Sequence, residues 1–278
     1  MAYKYFETAG HAAIYSRFRP TTPDILVKRI VSYVNEKIPN PLKLAVDIGC
    51  GSGQSTEALG PYFENVLGFD PNKTAVDEAT KKYHSKNVKY SVGNAEKINC
   101  TDNSVQLVTA GQACHWFNLP VFFEDVKRVL VAGGTLALYG YQLPRPKHLK
   151  TSKDLSSIVD QLYGETFGEY ALQESRECYL GRYTAEKYQI PFASSSILRD
   201  ESVVVEQKGT IADLVGYISS WSAYQNYVKQ HGKEKASKIL SEFENELMDA
   251  VGEKSKPEET EILVSFHYFL LLGRKNSQ

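Results

Sequence analysis

The chain has 278 residues, of which 42% are hydrophobic and 23% charged, and its formal net charge is −1. That length can bury a full-sized core, and so small a charge gives no global field to draw in nucleic acid or an anionic membrane surface. Cys50, Cys100, Cys114 and Cys178 are too widely spaced for a CxxC metal or redox pair or a dense disulfide framework, so a reducing compartment is expected.

The N-terminal stretch MAYKYFETAGH lacks the apolar segment of a secretory signal. The longest apolar run, LVSFHYFLLLG, is too short to span a bilayer and contains Ser265 and His267. A cytoplasmic protein is the simplest expectation. Thr22 followed by Pro23 reads as the cap and first residue of a helix. Leu26, Ile30, Val34 and Ile38 then recur every four positions, and Pro39 ends the element. Short β-rich apolar runs follow at 44–48, 66–69, 88–92, 105–109 and 135–139. Helical segments lie between them at 55–59, 74–84 and 121–130. That alternation predicts parallel βαβ units with right-handed crossovers. After Tyr141 the rhythm changes. Residues 153–163 and 235–251 carry helical apolar faces, 201–209 and 262–272 read as strands, and 254–260 as an exposed loop. With no linker, repeat or low-complexity segment, one domain over 1–278 is expected.

The first strand runs into Asp47-Ile48-Gly49-Cys50-Gly51-Ser52-Gly53. Neither glycine register completes the dinucleotide pattern G-x-G-x-x-G, because Gln54 and Thr56 stand where the third glycine belongs. A Walker loop is excluded too, since no lysine lies between Lys43 and Lys73. What remains is acidic-x-G-x-G-x-G at a strand end, with glycines that let backbone approach a ligand closely. Asp70-Pro71 ends the second strand, where a carboxylate can accept ribose hydroxyls. Gly93-Asn94-Ala95 follows the third, and Ala132-Gly133-Gly134-Thr135 leads into the fifth.

In that order and spacing, these four pieces resemble the class I S-adenosylmethionine-dependent methyltransferases over about residues 42–142. The resemblance implies an α/β, Rossmann-like, seven-stranded and mostly parallel sheet with an antiparallel last strand. Helical caps would come from 1–22, 145–182 and 211–252, and the closing strands from 201–209 and 262–272. It implies S-adenosyl-L-methionine as cofactor, leaving S-adenosyl-L-homocysteine. The contacts would be Asp47, Gly49, Gly51, Gly53, Asp70, Pro71, Asn94, Ala95 and Gln112, with Tyr15 and Arg19 folding over from the N-terminus. The family usually has an acidic residue where Asn94 stands; asparagine accepts a hydrogen bond near the adenine amine but carries no charge.

After strand four the chain reads Gly111-Gln112-Ala113-Cys114-His115-Trp116-Phe117. It has neither the D/N-P-P-Y/F/W element of enzymes that methylate nucleic-acid amines nor the double-glutamate loop of arginine methyltransferases. Together with Tyr15-Ser16-Arg17-Phe18-Arg19-Pro20 and Ser220-Trp221-Ser222-Ala223-Tyr224, it resembles the small-molecule subgroup around trans-aconitate methyltransferase, which methylates carboxylates of small organic acids. A carboxylate is already a nucleophile at pH 7, so such transfer needs alignment and exclusion of water, not a metal. His115 is the candidate base or orienting group. Trp116, Tyr141, Trp221 and Tyr224 are candidate walls, and Arg145 a candidate carboxylate clamp. The expected partner is a small molecule, not nucleic acid, with monomer and homodimer both open. C- or N-methylation of a lipid or quinone-like molecule, and cofactor binding without turnover, are the competing readings.

Overall fold

A computed structural model describes residues 21–193 and 196–276. In chain order the elements are α1 (Asp24–Asn35), β1 (Leu44–Ile48), α2 (Gln54–Leu59), β2 (Asn65–Asp70), α3 (Lys73–Lys82), β3 (Val88–Val92), β4 (Val105–Gly111), α4 (Leu119–Val129) and β5 (Leu130–Tyr141). Then come β6 (Arg145–His148), α5 (Ser156–Gln161), α6 (Gln173–Tyr179), β7 (Ile197–Asp200), β8 (Val204–Thr210), α7 (Ile211–Ser219), α8 (Ser222–His231), α9 (Lys233–Val251) and β9 (Glu261–Arg274).

β3, β2, β1, β4 and β5 lie side by side and parallel, and β9 runs antiparallel beside β5. β7 pairs with the far side of β9. These seven strands form the expected α/β sheet, with β9 the reversed member. Alternate residues serve opposite faces, as the strand period requires. Ala45, Leu107 and Ala137 pack into the core beneath α1, whereas Val46, Val108, Leu136 and Leu138 pack towards α4. α4 answers with Leu119, Phe122, Phe123, Val126 and Val129 on one buried stripe.

Three local expectations are corrected. The strand foreseen over 201–209 begins at Val204 as β8, and a further strand, β7 (Ile197–Asp200), precedes it. Between them Asp200 Oδ1 accepts from the Ser202 amide and hydroxyl at 2.9 and 2.6 Å, turning the chain out of the ladder. Those bonds and the Arg29 guanidinium hold the Asp200 carboxyl down at about 2. Second, residues 145–148 form β6 rather than the start of a helical cap. β9 has 14 residues, so its N-terminal half extends past β5 and is flanked by β6 and β8. Third, α1 starts at Asp24. Pro23 is still extended (ψ 139°), and its carbonyl accepts from Leu26 and Val27. Thr22 therefore caps nothing and turns to the cleft described below.

Among the described residues, no helix is long and apolar enough to cross a membrane. At the β5–β9 junction Phe269 lies opposite Gly140 and is wholly buried. A Cβ at Gly140 would stand 2.5 Å from the Phe269 ring, so the two residues fit as a matched pair. Phe269→Ala should leave a cavity there and lower stability by about 3–5 kcal/mol in urea unfolding. A loss below about 1 kcal/mol would show that this junction is not closely packed.

Candidate functional site

Gly49, Gly51 and Gly53 carry φ of +73°, +51° and +89°, a backbone region costly for other residues. Their surroundings differ. A Cβ at Gly49 would lie 2.5 Å from that of Ala113, and one at Gly53 2.9 Å from the Tyr90 ring. At Gly51 a Cβ would meet nothing within 4 Å. Two glycines thus let protein pack against the loop, and the middle one keeps a surface open.

Asp47 fixes this loop from inside. It is fully buried and accepts from Ser55 Oγ (2.6 Å), Thr56 Oγ1 (2.8 Å) and Thr109 Oγ1 (2.7 Å). Burial raises its pKa, and the three hydroxyls oppose the rise. The expectation that Asp47 contacts a cofactor is corrected: its oxygens are turned into the protein and hold the loop between α2 and β4. Asp70 acts from β2. Its Oδ2 accepts from the Gly51 amide at 2.9 Å and its Oδ1 from the Asn72 amide at 2.8 Å. Burial raises this carboxyl too, against those two bonds. Each oxygen keeps a lone pair for a hydroxyl donor. The Gly93 amide donates to the Asp70 carbonyl, which brings the turn carrying Asn94 and Ala95 beside the end of β2. Pro71 and Asn94 are exposed and Ala95 is buried.

Beside the glycine loop opens a cleft. Gly49, Cys50, Gly51, Ser52, Gln54 and Ser55 form one wall. Opposite stand Gly111, Gln112, Tyr139, Tyr141, Tyr268 and Thr22, so every described lining residue is uncharged. Gln112 is itself left-handed at φ +53°; its amide donates to the Tyr139 carbonyl at 2.8 Å and its Nε2 to the Tyr141 carbonyl at 3.3 Å. A Cβ at Gly111 would stand 2.5 Å from the Tyr139 ring, which lies flat across that glycine. Burial raises the pKa of Tyr139 and of Tyr268, so both hydroxyls remain donors at neutral pH. Sequence reasoning missed Thr22, Cys50, Ser52, Gln54, Ser55, Gly111, Tyr139 and Tyr268. The i, i+2 spacing of Tyr139 and Tyr141 on one strand was a usable signal; nothing local marks Tyr268 or Thr22.

Of the expected acceptor-binding residues only Tyr141 lines this cleft. His115 lies one turn beyond Gln112, with Nδ1 2.6 Å from the Tyr183 hydroxyl and its ring 4.8 Å from that of Trp116. Burial pushes its pKa down to about 3. It is neutral at pH 7, and so low a pKa favours the orienting role over that of a base. Arg145 Nη1 pairs with Asp160 Oδ2 at 2.6 Å and does not reach the cleft. Trp221 is 1% exposed, edge-on to Tyr163 at 5.2 Å, and Tyr224 packs edge-on to Phe167 at 5.9 Å. Tyr15 and Arg19 lie outside the described residues.

Comparison with known proteins gives four concordant findings. A family model described as a methyltransferase domain matches residues 46–138. A Dictyostelium discoideum protein assigned as a methyltransferase is 34% identical over 94% of this chain and 92% of its own length. A Saccharomyces cerevisiae protein, assigned as the S-adenosylmethionine-dependent methyltransferase CRG1, is 26% identical over 88% and 89%. Among solved structures, a type II methyltransferase assignment from Anaeromyxobacter dehalogenans superposes with a TM-score of 0.73 at 27% identity, over 94% of this chain and all of that one.

His115 gives a pH prediction. The unfolded chain protonates this imidazole near its ordinary 6.5, whereas the folded chain resists until about 3. Stability should therefore fall as pH drops below about 6.5. His115→Gln, which still offers Tyr183 an acceptor, should flatten that acid limb in urea midpoints measured against pH. An acid limb as steep as in the parent protein would contradict the shift.

Proposed function

The chain belongs to the class I S-adenosylmethionine-dependent methyltransferases, and from that premise we propose that it methylates an oxygen, specifically a carboxylate oxygen, of a small organic acid. One observation carries this reading: among the described residues, the cleft lining holds no group poised to take a proton near neutrality. An acceptor that must be deprotonated would find no help there. A carboxylate arrives already ionised.

The site fits the cofactor. The open face at Gly51 is a surface that any side chain would occupy, and Asp70 beside it offers acceptor oxygens suited to ribose hydroxyls. Asn94 and Ala95 would face the base of the bound cofactor, and Gln112 its sulfur. When bound, S-adenosylmethionine supplies an electrophilic methyl group. The chain's own residues then bind the acid, orient it and exclude water. The protonated hydroxyls of Tyr139 and Tyr268 are neutral donors, which hold a carboxylate without quenching its nucleophilicity as a guanidinium would. The ion pair of Arg145 with Asp160 supports the same division of labour. The described cysteines form no disulfide, in keeping with a cytoplasmic setting.

Incubating the protein with methyl-labelled cofactor and a panel of small organic acids should yield label that mild alkali releases, as an ester does. Alkali-stable label would refute carboxylate methylation in favour of transfer to a hydroxyl, carbon or nitrogen; tight cofactor binding with no transfer to any acid would favour a binding protein. Separately, Asp70→Ala should weaken cofactor affinity by about 1.5–3 kcal/mol in calorimetry, the loss of charge-assisted hydrogen bonds. Undiminished affinity would remove Asp70 from the ribose.

A further inference from the structure

Behind Tyr141, six aromatic side chains form a closed circuit. Tyr141 meets Phe266 at 5.5 Å between ring centroids, Phe266 meets Tyr217 at 5.7 Å, and Tyr217 meets Trp221 at 6.1 Å. Trp221 meets Tyr163 at 5.2 Å, Tyr163 meets Tyr179 at 6.0 Å, and Tyr179 returns to Tyr141 at 6.4 Å. These rings come from β5, β9, α7, the residue before α8, the wide turn at Leu162–Thr166 and the end of α6. The circuit therefore joins the sheet to α6, α7 and the turns beside them. Tyr141 belongs both to this circuit and to the cleft lining, so the two are contiguous.

Opposite Tyr141 in the circuit, three rings away by either route, sits Trp221. Its indole Nε1 is buried and has no hydrogen-bond partner among the described residues. A buried donor left unpaired is costly, and a phenylalanine would fill an apolar position without that cost. We infer that the aromatic circuit is the acceptor's binding chamber, in which Trp221 Nε1 donates to an oxygen on the end of the acceptor remote from the methylated carboxylate. This rests on the methyl-transfer reading above and narrows its substrate class. Edge-to-face walls favour a flat, unsaturated or aromatic body. The indole donor adds a requirement for an oxygen at the far end.

Cinnamate and 4-hydroxycinnamate are suitable probes, differing only in the distal oxygen. The chain has two tryptophans, Trp116 and Trp221, so an ¹⁵N-correlated spectrum should show two indole signals, and Trp221→Phe identifies the second. With S-adenosylhomocysteine present, 4-hydroxycinnamate should displace the Trp221 indole signal downfield, and cinnamate should displace it less. The hydroxylated acid should bind about fivefold tighter by calorimetry, and Trp221→Phe should abolish that preference while leaving S-adenosylhomocysteine affinity within about twofold. An unmoved Trp221 signal at saturation, a preference that survives in Trp221→Phe, or failure of both acids to bind would overturn the inference. The two readings fail separately. A displaced indole without ester formation keeps the chamber and refutes carboxylate transfer; ester formation with an unmoved indole does the reverse.

Discussion

The buried carboxylate of Asp47 is the constraint on which the site's geometry depends. It gathers hydroxyls from Ser55 and Thr56 on the helix after the glycine loop, and from Thr109 on the neighbouring strand. A carboxylate taken out of water must find hydrogen bonds, so these donors and the strand end are held together wherever Asp47 is held. The loop between them has little freedom left. Its three glycines adopt a path other residues resist, and Asp70 closes the outer side through the Gly51 amide. One acid faces inward to set the loop, and one faces outward beside the open glycine. Exchanging their environments would forfeit both roles, because a fully desolvated carboxylate has no oxygen to spare for a ligand.

The cleft's neutrality follows from the same burial. Tyr139, Tyr141 and Tyr268 are each 5% exposed or less, and desolvation keeps Tyr139 and Tyr268 protonated. His115, which could have served as a base, is held neutral behind Tyr183. A cleft of neutral donors suits an acceptor that brings its own negative charge. On the proposed reading the acidity of the acceptor would stand in for a base in the protein, which would contribute shape and dryness.

The length of β9 connects that cleft with the helical cover. Its C-terminal half lies between β5 and β7, and its N-terminal half between β6 and β8. Tyr268 and Phe266 lie two residues apart on it and share one face, so a single strand delivers one ring to the cleft and the next to the aromatic circuit. α7, opened by the reciprocal Thr210–Asp213 cap, sets Tyr217 against Phe266 from the other side. Continuity between the cleft and the aromatic circuit is thereby built into one antiparallel strand.

Local sequence alone determined the parallel half of the fold and the ligand loop. Strand–helix alternation, the glycine spacing and the strand-end position of Asp70 depend on period and backbone conformation, which a linear pattern records. Gln112 and Tyr141 came with the family resemblance, not from period or backbone conformation. Tertiary structure decided the rest. Asp47 became an internal anchor because three distant hydroxyls converge on it, and His115 lost its basicity through burial that no neighbour in sequence imposes. Arg145 was claimed by Asp160 across a strand and a helix, Thr22 was released to the cleft by the late start of α1, and Tyr268 arrived there only through the register of β9 against β5. Each of these depends on which elements meet, and a residue's partners across the fold are not written in its own stretch of chain.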